Sequence, residues 1–352
     1  MNVKAIILSV LVLAVMPLVS CSKAETVKPS EPATTTKDYN EMIMDYFEDN
    51  SAPPAPKKKY ETQVDSTNTF EYVDAEGYMD IYGRTYGDEG IVITKYLGDD
   101  TTVTIPAEID GKKVAGNFSD AFSEMYENED GYRIEKFFFK EVYFDEEYPE
   151  VDCVTFAYSD VLEYIKLPRS QKRLQPFAFN RCTNLKCVEL TSTLESIDEY
   201  AFERCESLTE FEFGDGLKSI GLAAFDSCYS LKSIDLPDSL ESIGRSAFSK
   251  CRSLKEVNIP EKVTVIPYGA FSGCDSLETV RLSDGVTEID ENAFIRCSRL
   301  KDIYIPDSVT TISENAFKIR NSRYNTNVTI HCSQDSYAMQ YAKKYRIDYV
   351  VE

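Results

Sequence analysis

Apolar positions in the second half of this chain recur on a fixed step. Ala-Phe pairs stand at Ala178-Phe179, Ala201-Phe202, Ala224-Phe225, Ala247-Phe248, Ala270-Phe271, Ala293-Phe294 and Ala316-Phe317, each 23 residues after the last. Three residues after the Phe comes Cys182, Cys205, Cys228, Cys251, Cys274 or Cys297, and three further on Leu185, Leu208, Leu231, Leu254, Leu277 or Leu300. Two apolar positions two apart follow, as in Val188 and Leu190, Phe211 and Phe213, Ile234 and Leu236, Val257 and Ile259, Val280 and Leu282, Ile303 and Ile305. A two-residue step predicts a strand with one buried face. Pro237, Pro260 and Pro306 end three of these strands, because proline has no N–H for a ladder. Leu194, Leu217, Leu240, Val263, Val286 and Val309, each followed three later by Ile, predict a second extended or bent segment. Each repeat is then a strand, a turn, the second segment, and a turn carrying Ala-Phe.

Self-similarity at this period predicts a solenoid, in which each coil covers the open face of the one before. A coil offers about seven inward side chains, worth about 1.5–3 kcal/mol each when fully buried. Stacking at about 4.8 Å per strand buries them. The expected fold is a mostly β repeat solenoid of parallel stacked strands with 23-residue repeats. Its end coils should be less enclosed, so Phe317 is expected to be a weaker core position than Phe248.

The frame runs backward through Phe156, Leu162, Ile165, Leu167-Pro168 and Leu174, then Phe139, Val142 and Phe144. Before that it breaks: Phe122 to Val142 spans 20 positions where Phe179 to Val188 spans 9. The extra acidic stretch, Glu127 to Tyr132, is read as a loop-out, either a plain loop or a binding element. At the other end Arg320 stands where the ladder calls for Cys, as expected of a coil that no longer stacks.

The pattern Ala-Phe-x-x-Cys-x-x-Leu-x-x-(Val/Ile)-x-(Leu/Ile)-Pro resembles the BspA-type leucine-rich repeat of bacterial surface proteins. Tyr96-Leu97-Gly98 and the run from Val103 to Val114 resemble that family's opening repeat. Val328-Thr329-Ile330, followed by Ser336-Tyr337-Ala338 and Tyr341-Ala342, resembles its closing strand and C-terminal helical cap. The resemblance implies a leucine-rich-repeat solenoid and a role in binding at the cell surface.

The N-terminus reads as an address. Met1 to Lys4 is a short basic segment, and Ala5 to Val15 is apolar but too short to span a bilayer. Leu18-Val19-Ser20-Cys21 resembles a bacterial lipobox, which implies a signal peptide over 1–20 and lipid attachment at Cys21. Residues 21–65 are read as a low-complexity tether, rich in Pro, Thr and Lys and too poor in apolar residues to fold. Within it, Tyr39, Met42, Ile43, Tyr46 and Phe47 share one helical face, either a transient helix or a docking element. The solenoid with its caps is assigned 66–352.

Charge narrows the function. With 38 Lys and Arg against 60 Asp and Glu, the net charge is −22. That argues against nucleic acid, which needs clustered cations, and leaves room for a basic protein partner. The six ladder cysteines are read as reduced core thiols, since stacked identical residues aim their Cβ atoms alike. Cys153, Cys187 and Cys332 are off the ladder, with Cys187 expected on the exposed strand face. No Cys-x-x-Cys pair suggests zinc, and no cofactor or metal is expected. His331 is the single histidine and is read as structural, which leaves no nucleophile–base system and argues against an enzyme.

The candidate binding face is the outward side of the parallel strands: Tyr143, Tyr164, Glu189, Glu210, Glu212, Asp235, Glu256, Asn258, Arg281 and Tyr304. Its middle is an acidic stripe and one end is aromatic. The leading function is a surface-displayed bacterial lipoprotein that binds an extracellular protein, an adhesion module touching the membrane only through its lipid. The alternatives are a glycan-binding or substrate-capture lipoprotein and a structural envelope spacer.

Overall fold

The computed structural model of the chain describes residues 63–76, 89–98, 100–115, 123–127, 133–137, 139–145, 156–190, 192–320, 323–324 and 327–352. Cys21, the Tyr39–Phe47 segment, Cys153 and the stretch 128–132 lie outside them.

The chain divides into two compact units, residues 1–99 with 108–136, and residues 100–107 with 137–352. In the first, Gln63–Val64 (β1), Phe70–Asp74 (β2) and Ile91–Tyr96 (β3) form an antiparallel sheet in the order β1-β2-β3. Asp65 organises its first turn: its carboxylate accepts from the Thr69 and Phe70 backbone N–H groups at 2.6 and 2.7 Å. Thr102–Ile105 (β4) belongs to the second unit. Glu108–Ile109 (β5) and Lys112–Lys113 (β6) pair antiparallel, and Ser123–Glu127 (β7) pairs with Arg133–Phe137 (β8). The stretch 128–132 joins these last two strands.

The second unit is a parallel β-solenoid with repeats of about 23 residues. Its first ladder begins with β4 beside Glu141–Phe144 (β9), then Tyr164–Lys166 (β10) and, after the short Arg173–Leu174 (β11), Cys187–Glu189 (β12). Ser196–Ile197 (β13), Ser219–Ile220 (β14) and Ser242–Ile243 (β15) continue β11 as a second ladder. Beyond them Glu256–Ile259 (β16), Thr279–Leu282 (β18) and Asp302–Tyr304 (β20) resume the first ladder, and Val265–Ile266 (β17), Glu288–Ile289 (β19) and Thr311–Ile312 (β21) the second. Lys318–Arg320 (β22) and Arg323–Tyr324 (β23) form a small antiparallel pair. Thr329–Cys332 (β24) and Asp348–Val351 (β25) close the sheet, joined by helix Tyr337–Tyr345 (α1). Ser336 caps α1, accepting from the Met339 N–H, and Arg346 ends it in the left-handed conformation.

The core is a stack of identical layers. Phe179, Phe202, Phe225, Phe248, Phe271, Phe294 and Phe317 are all buried, and consecutive rings lie nearly parallel at 5.1–5.6 Å. Each such pair contributes about 0.5–1.5 kcal/mol beyond the area it buries. Phe317 departs from expectation. It is only 1% exposed, because Tyr341 of α1 covers its outer face edge-on at 5.9 Å. The cap does the work of a further coil.

The cysteine ladder is buried and reduced. Each thiol also has a partner. The Cys205, Cys228, Cys251, Cys274 and Cys297 thiols donate to the carbonyls of Phe179, Phe202, Phe225, Phe248 and Phe271, at sulfur–oxygen distances of 3.1–3.3 Å. Each of these carbonyls also accepts the N–H of the Cys in its own coil, so the thiol is a second donor that ties one coil to the preceding one. Burial pushes the Cys205, Cys228 and Cys251 thiols upward, so they stay protonated.

A third ladder runs through the Ala-Phe turns. The N–H of Phe179, Phe202, Phe225 and Phe248 donates to the carbonyl of Ala201, Ala224, Ala247 and Ala270 in the next coil, at 2.7–2.8 Å. In the first six of the seven pairs, the residue before the Ala and the residue two after the Phe take positive φ. The first set is Phe177, Tyr200, Ala223, Ser246, Gly269 and Asn292, and the second Arg181, Arg204, Ser227, Lys250, Gly273 and Arg296. Only Gly269 and Gly273 are glycine, so the cost of left-handed backbone is offset by these inter-coil bonds.

The first ladder lapses where the repeat pattern predicts two further strands. Residues 210–213 and 233–236 keep the alternating burial but fall outside β-strands. Phe211 is the cause we identify. It wedges edge-on between Phe202 and Phe225, 5.0 and 4.9 Å from their centroids, where other coils carry Val or Ile. Phe213, expected inside, is half-buried and packs on Phe211 at 4.8 Å. Among the coils with this strand pair, this one alone carries rings at both positions.

The outward strand face as a candidate binding site

The strand register sets the face. Alternation buries Val142, Ile165, Val188, Val257, Val280 and Ile303 and turns their neighbours outward. Of the ten candidate residues, Glu189, Glu210, Glu212, Asp235, Glu256, Asn258 and Arg281 are exposed, and Tyr143, Tyr164 and Tyr304 are half-buried. The face has three chemically distinct stretches.

At its start, Tyr143 and Tyr164 lie side by side with ring centroids 5.1 Å apart. The Tyr164 hydroxyl donates to the Glu189 carboxylate at 2.5 Å, and Lys166 sits 3.3 Å from the same group. The bond from Tyr164 holds the Glu189 carboxyl below its usual range, with Lys166 adding to the effect. Burial, then Glu189, pushes the Tyr164 hydroxyl upward. Beside this cluster is a depression of 380 Å³ lined by Lys166, Leu167, Arg169, Glu189, Leu190, Ser192 and Thr193. Leu190, expected in the core, is half-buried at its rim.

The middle stretch is Glu210, Glu212, Asp235 and Glu256. Among the described residues, no ion pair engages these four carboxylates. Other acids nearby are paired. Lys186 and Lys140 lie 2.5 and 3.6 Å from Glu163, and Lys301 lies 2.7 Å from Glu278. Those pairs occupy the column just before the strands, which reads Lys140, Glu163, Lys186, Thr209, Lys232, Lys255, Glu278 and Lys301, whereas the only charges in the middle of the outward face are acids. The thiol of Cys187 borders the patch and is exposed, as expected. Burial comes first in raising its pKa, followed by Glu189, Glu212 and Glu210. These first two stretches thus meet at Cys187.

The last stretch was not legible in the sequence. The Arg281 guanidinium lies 3.8 Å above the Tyr304 ring, and Tyr304 stacks on His331 at 4.2 Å and 17°. The His331 ring bridges two carboxylates, with Nε2 2.9 Å from Asp302 and Nδ1 2.8 Å from Glu352. His331 lies in the closing strand and faces outward rather than into the core. The step from Tyr304 to its strand partner His331 is 27 residues instead of 23, which hid the pairing.

No group of His, Cys, Asp and Glu among the described residues is arranged to hold a metal ion. No helix among them is long and apolar enough to cross a membrane. The face is an open surface with charged and aromatic stretches, suited to contacting a ligand along several coils.

The sequence model of the BspA-type leucine-rich repeat region matches residues 149–274 and 218–338, in six copies. The chain belongs to this BspA-type leucine-rich-repeat family. Among curated protein sequences no match was found. Several solved structures are similar, three of them as follows. A leucine-rich repeat protein of T. pallidum is 26% identical, with a TM-score of 0.43, covering 70% of this chain and 91% of its own. A leucine-rich cell surface protein of Faecalibacterium prausnitzii is 18% identical, with a TM-score of 0.37, covering 81% and 98%. The pneumococcal vaccine antigen PcpA is 18% identical, with a TM-score of 0.33, covering 84% and 100%. Membership of the BspA-type family suggests a binding role.

Proposed function

We propose that this chain is a surface-displayed bacterial lipoprotein that binds an extracellular protein through the outward strand face of its solenoid. The observation that carries the reading is the middle stretch. Glu210, Glu212, Asp235 and Glu256 are exposed carboxylates left without an ion pair among the described residues, on a face whose neighbouring acids are neutralised. Four uncompensated charges on adjacent coils favour a basic partner segment and accelerate its encounter. Tyr143, Tyr164, Asn258, Arg281 and Tyr304 extend the contact on either side. The lipobox at Cys21 would anchor the chain, and residues 21–65 would hold the solenoid away from the membrane.

The test is charge reversal of Glu210, Glu212 and Asp235 to Lys. These side chains point outward, so melting should be unchanged while capture of a basic partner is lost. Capture by the unaltered chain should weaken with salt, since the Debye length falls to about 8 Å at physiological ionic strength. Capture that survives both changes would refute the assignment. Cys21→Ala should move the chain from the detergent phase to the aqueous phase, and unchanged partitioning would remove the anchor.

A glycan-binding reading rests on the Tyr143–Tyr164 pair beside the 380 Å³ depression. It requires capture that ignores salt and is lost in Tyr164→Ala.

A further inference from the structure

One column of the outward face changes character along the solenoid. At the repeat step it reads Glu212, Asp235, Asn258, Arg281, Tyr304, and the register carries it on to His331. Arg281 is exposed on a chain of net charge −22, yet no ion pair engages it among the described residues. Asp302, diagonal to it on the next strand, lies on the His331 ring at 2.9 Å, and Glu256, diagonal to it on the preceding strand, makes no ion pair among the described residues. Asn258 stands beside Arg281 in register on the preceding strand.

The stack fixes where the guanidinium sits. Tyr304 is held between Arg281 at 3.8 Å and His331 at 4.2 Å, and the Asp302 and Glu352 carboxylates hold His331. At 3.8 Å the guanidinium carbon is at stacking distance from the ring, and a stacked guanidinium keeps its N–H edge for another partner. That edge is a planar fork matched to a carboxylate. The side-chain entropy that normally weakens an exposed ion pair is partly spent already.

We infer that Arg281 is a carboxylate-binding position, and that the partner segment carries an acidic residue beside its cations. The inference rests on the proposed use of this face for protein binding. Asp235 and Arg281 are two coils apart, about 10 Å at about 4.8 Å per strand, which an extended peptide spans in about three residues. The face then reads charge order as well as charge, and rejects a uniformly basic segment relative to one with a carboxylate at the right step. Arg281 contacts the ligand. Tyr304 acts through it, as a positioning residue.

Two measurements on the full-length chain test this. In the first, acetate is the probe at constant ionic strength, and the Nε–H resonance of Arg281, assigned with Arg281→Lys, is the readout. The expected result is a saturable shift at Arg281. It should be lost in Tyr304→Leu, kept in Tyr304→Phe, and absent at Arg252, which is already 3.7 Å from Asp275. A shift that does not saturate, or that Arg252 shares, overturns the inference. In the second, the probes are the amidated peptides Lys-Lys-Lys-Lys-Gly-Gly-Glu and Lys-Lys-Lys-Lys-Gly-Gly-Gln. Replacing Glu by Gln should weaken binding about fivefold, the scale of an exposed ion pair. The ratio should fall to near one in Arg281→Ala. An equal ratio in both proteins overturns the inference. If acetate titrates Arg281 but neither peptide binds, the carboxylate site stands and the acidic-patch reading fails.

Discussion

The stacked rings make a quantitative prediction at Phe248. Its side chain is fully buried, 5.3 Å from Phe225 and 5.5 Å from Phe271, with interplanar angles of 8° and 6°. Phe248→Ala removes the ring from a rigid column that cannot collapse, because every neighbour is held by its own coil. Substitutions of this kind cost about 3–5 kcal/mol, and the fixed column places Phe248 at the upper end. Phe248→Leu separates burial from stacking. Leucine keeps most of the apolar volume but forfeits two ring–ring contacts at about 0.5–1.5 kcal/mol each, so it should cost about 1–3 kcal/mol. Phe317→Ala should cost within about 1 kcal/mol of Phe248→Ala, since Tyr341 encloses Phe317. The assay is urea unfolding followed by far-UV circular dichroism, because the chain has no tryptophan. Tyrosine fluorescence serves as a second probe, since repeat proteins can unfold in parts. Two outcomes would refute the reasoning. A Phe248→Leu variant as stable as the parent would mean the ring stacking contributes nothing, and a Phe317→Ala cost far below that of Phe248→Ala would mean the helix does not cap the column.

Two other positions give separate tests. Cys251→Val should destabilise by about 0.5–1.5 kcal/mol although it conserves apolar character, because it removes the thiol bond to the Phe225 carbonyl, which is left with the Cys228 N–H alone; a neutral Cys251→Val variant would show that the bond contributes nothing. Asp198 is raised from 3.8 to about 6 by burial, which outweighs the attraction of Arg173. The folded state therefore holds a proton that the unfolded chain has released between these values. Stability should fall by up to about 3 kcal/mol as pH rises from about 4 to 6, and the slope should flatten in Asp198→Asn. Parallel pH profiles for the two proteins would sink that account.

The repeat itself was written in the sequence. Identical residues at an identical step must occupy equivalent places in successive coils, so the period alone fixed parallel stacking, the Phe column, the buried cysteines and the outward position of the acids. Strict alternation in each strand fixed which side chains face solvent. Other features needed the fold. The positive-φ turns carry almost no glycine signature, because hydrogen bonds to the next coil, rather than local preference, hold Phe177, Arg181 and their equivalents there. The lapse of the ladder at residues 210–213 and 233–236 came from ring volume at Phe211, where the apolar pattern by itself reads as an ordinary strand. The thiol–carbonyl bonds join residues 26 apart, one coil plus the turn, and no local pattern announces them. The Arg281–Tyr304–His331 stack depends on a 27-residue step and on the closing strand returning beside β20. The net charge of −22 argues against a nucleic-acid partner and says nothing about which protein would bind. Which carboxylates remain unpaired, and which arginine is held ready for one, was decided by side chains that meet only when the coils stack.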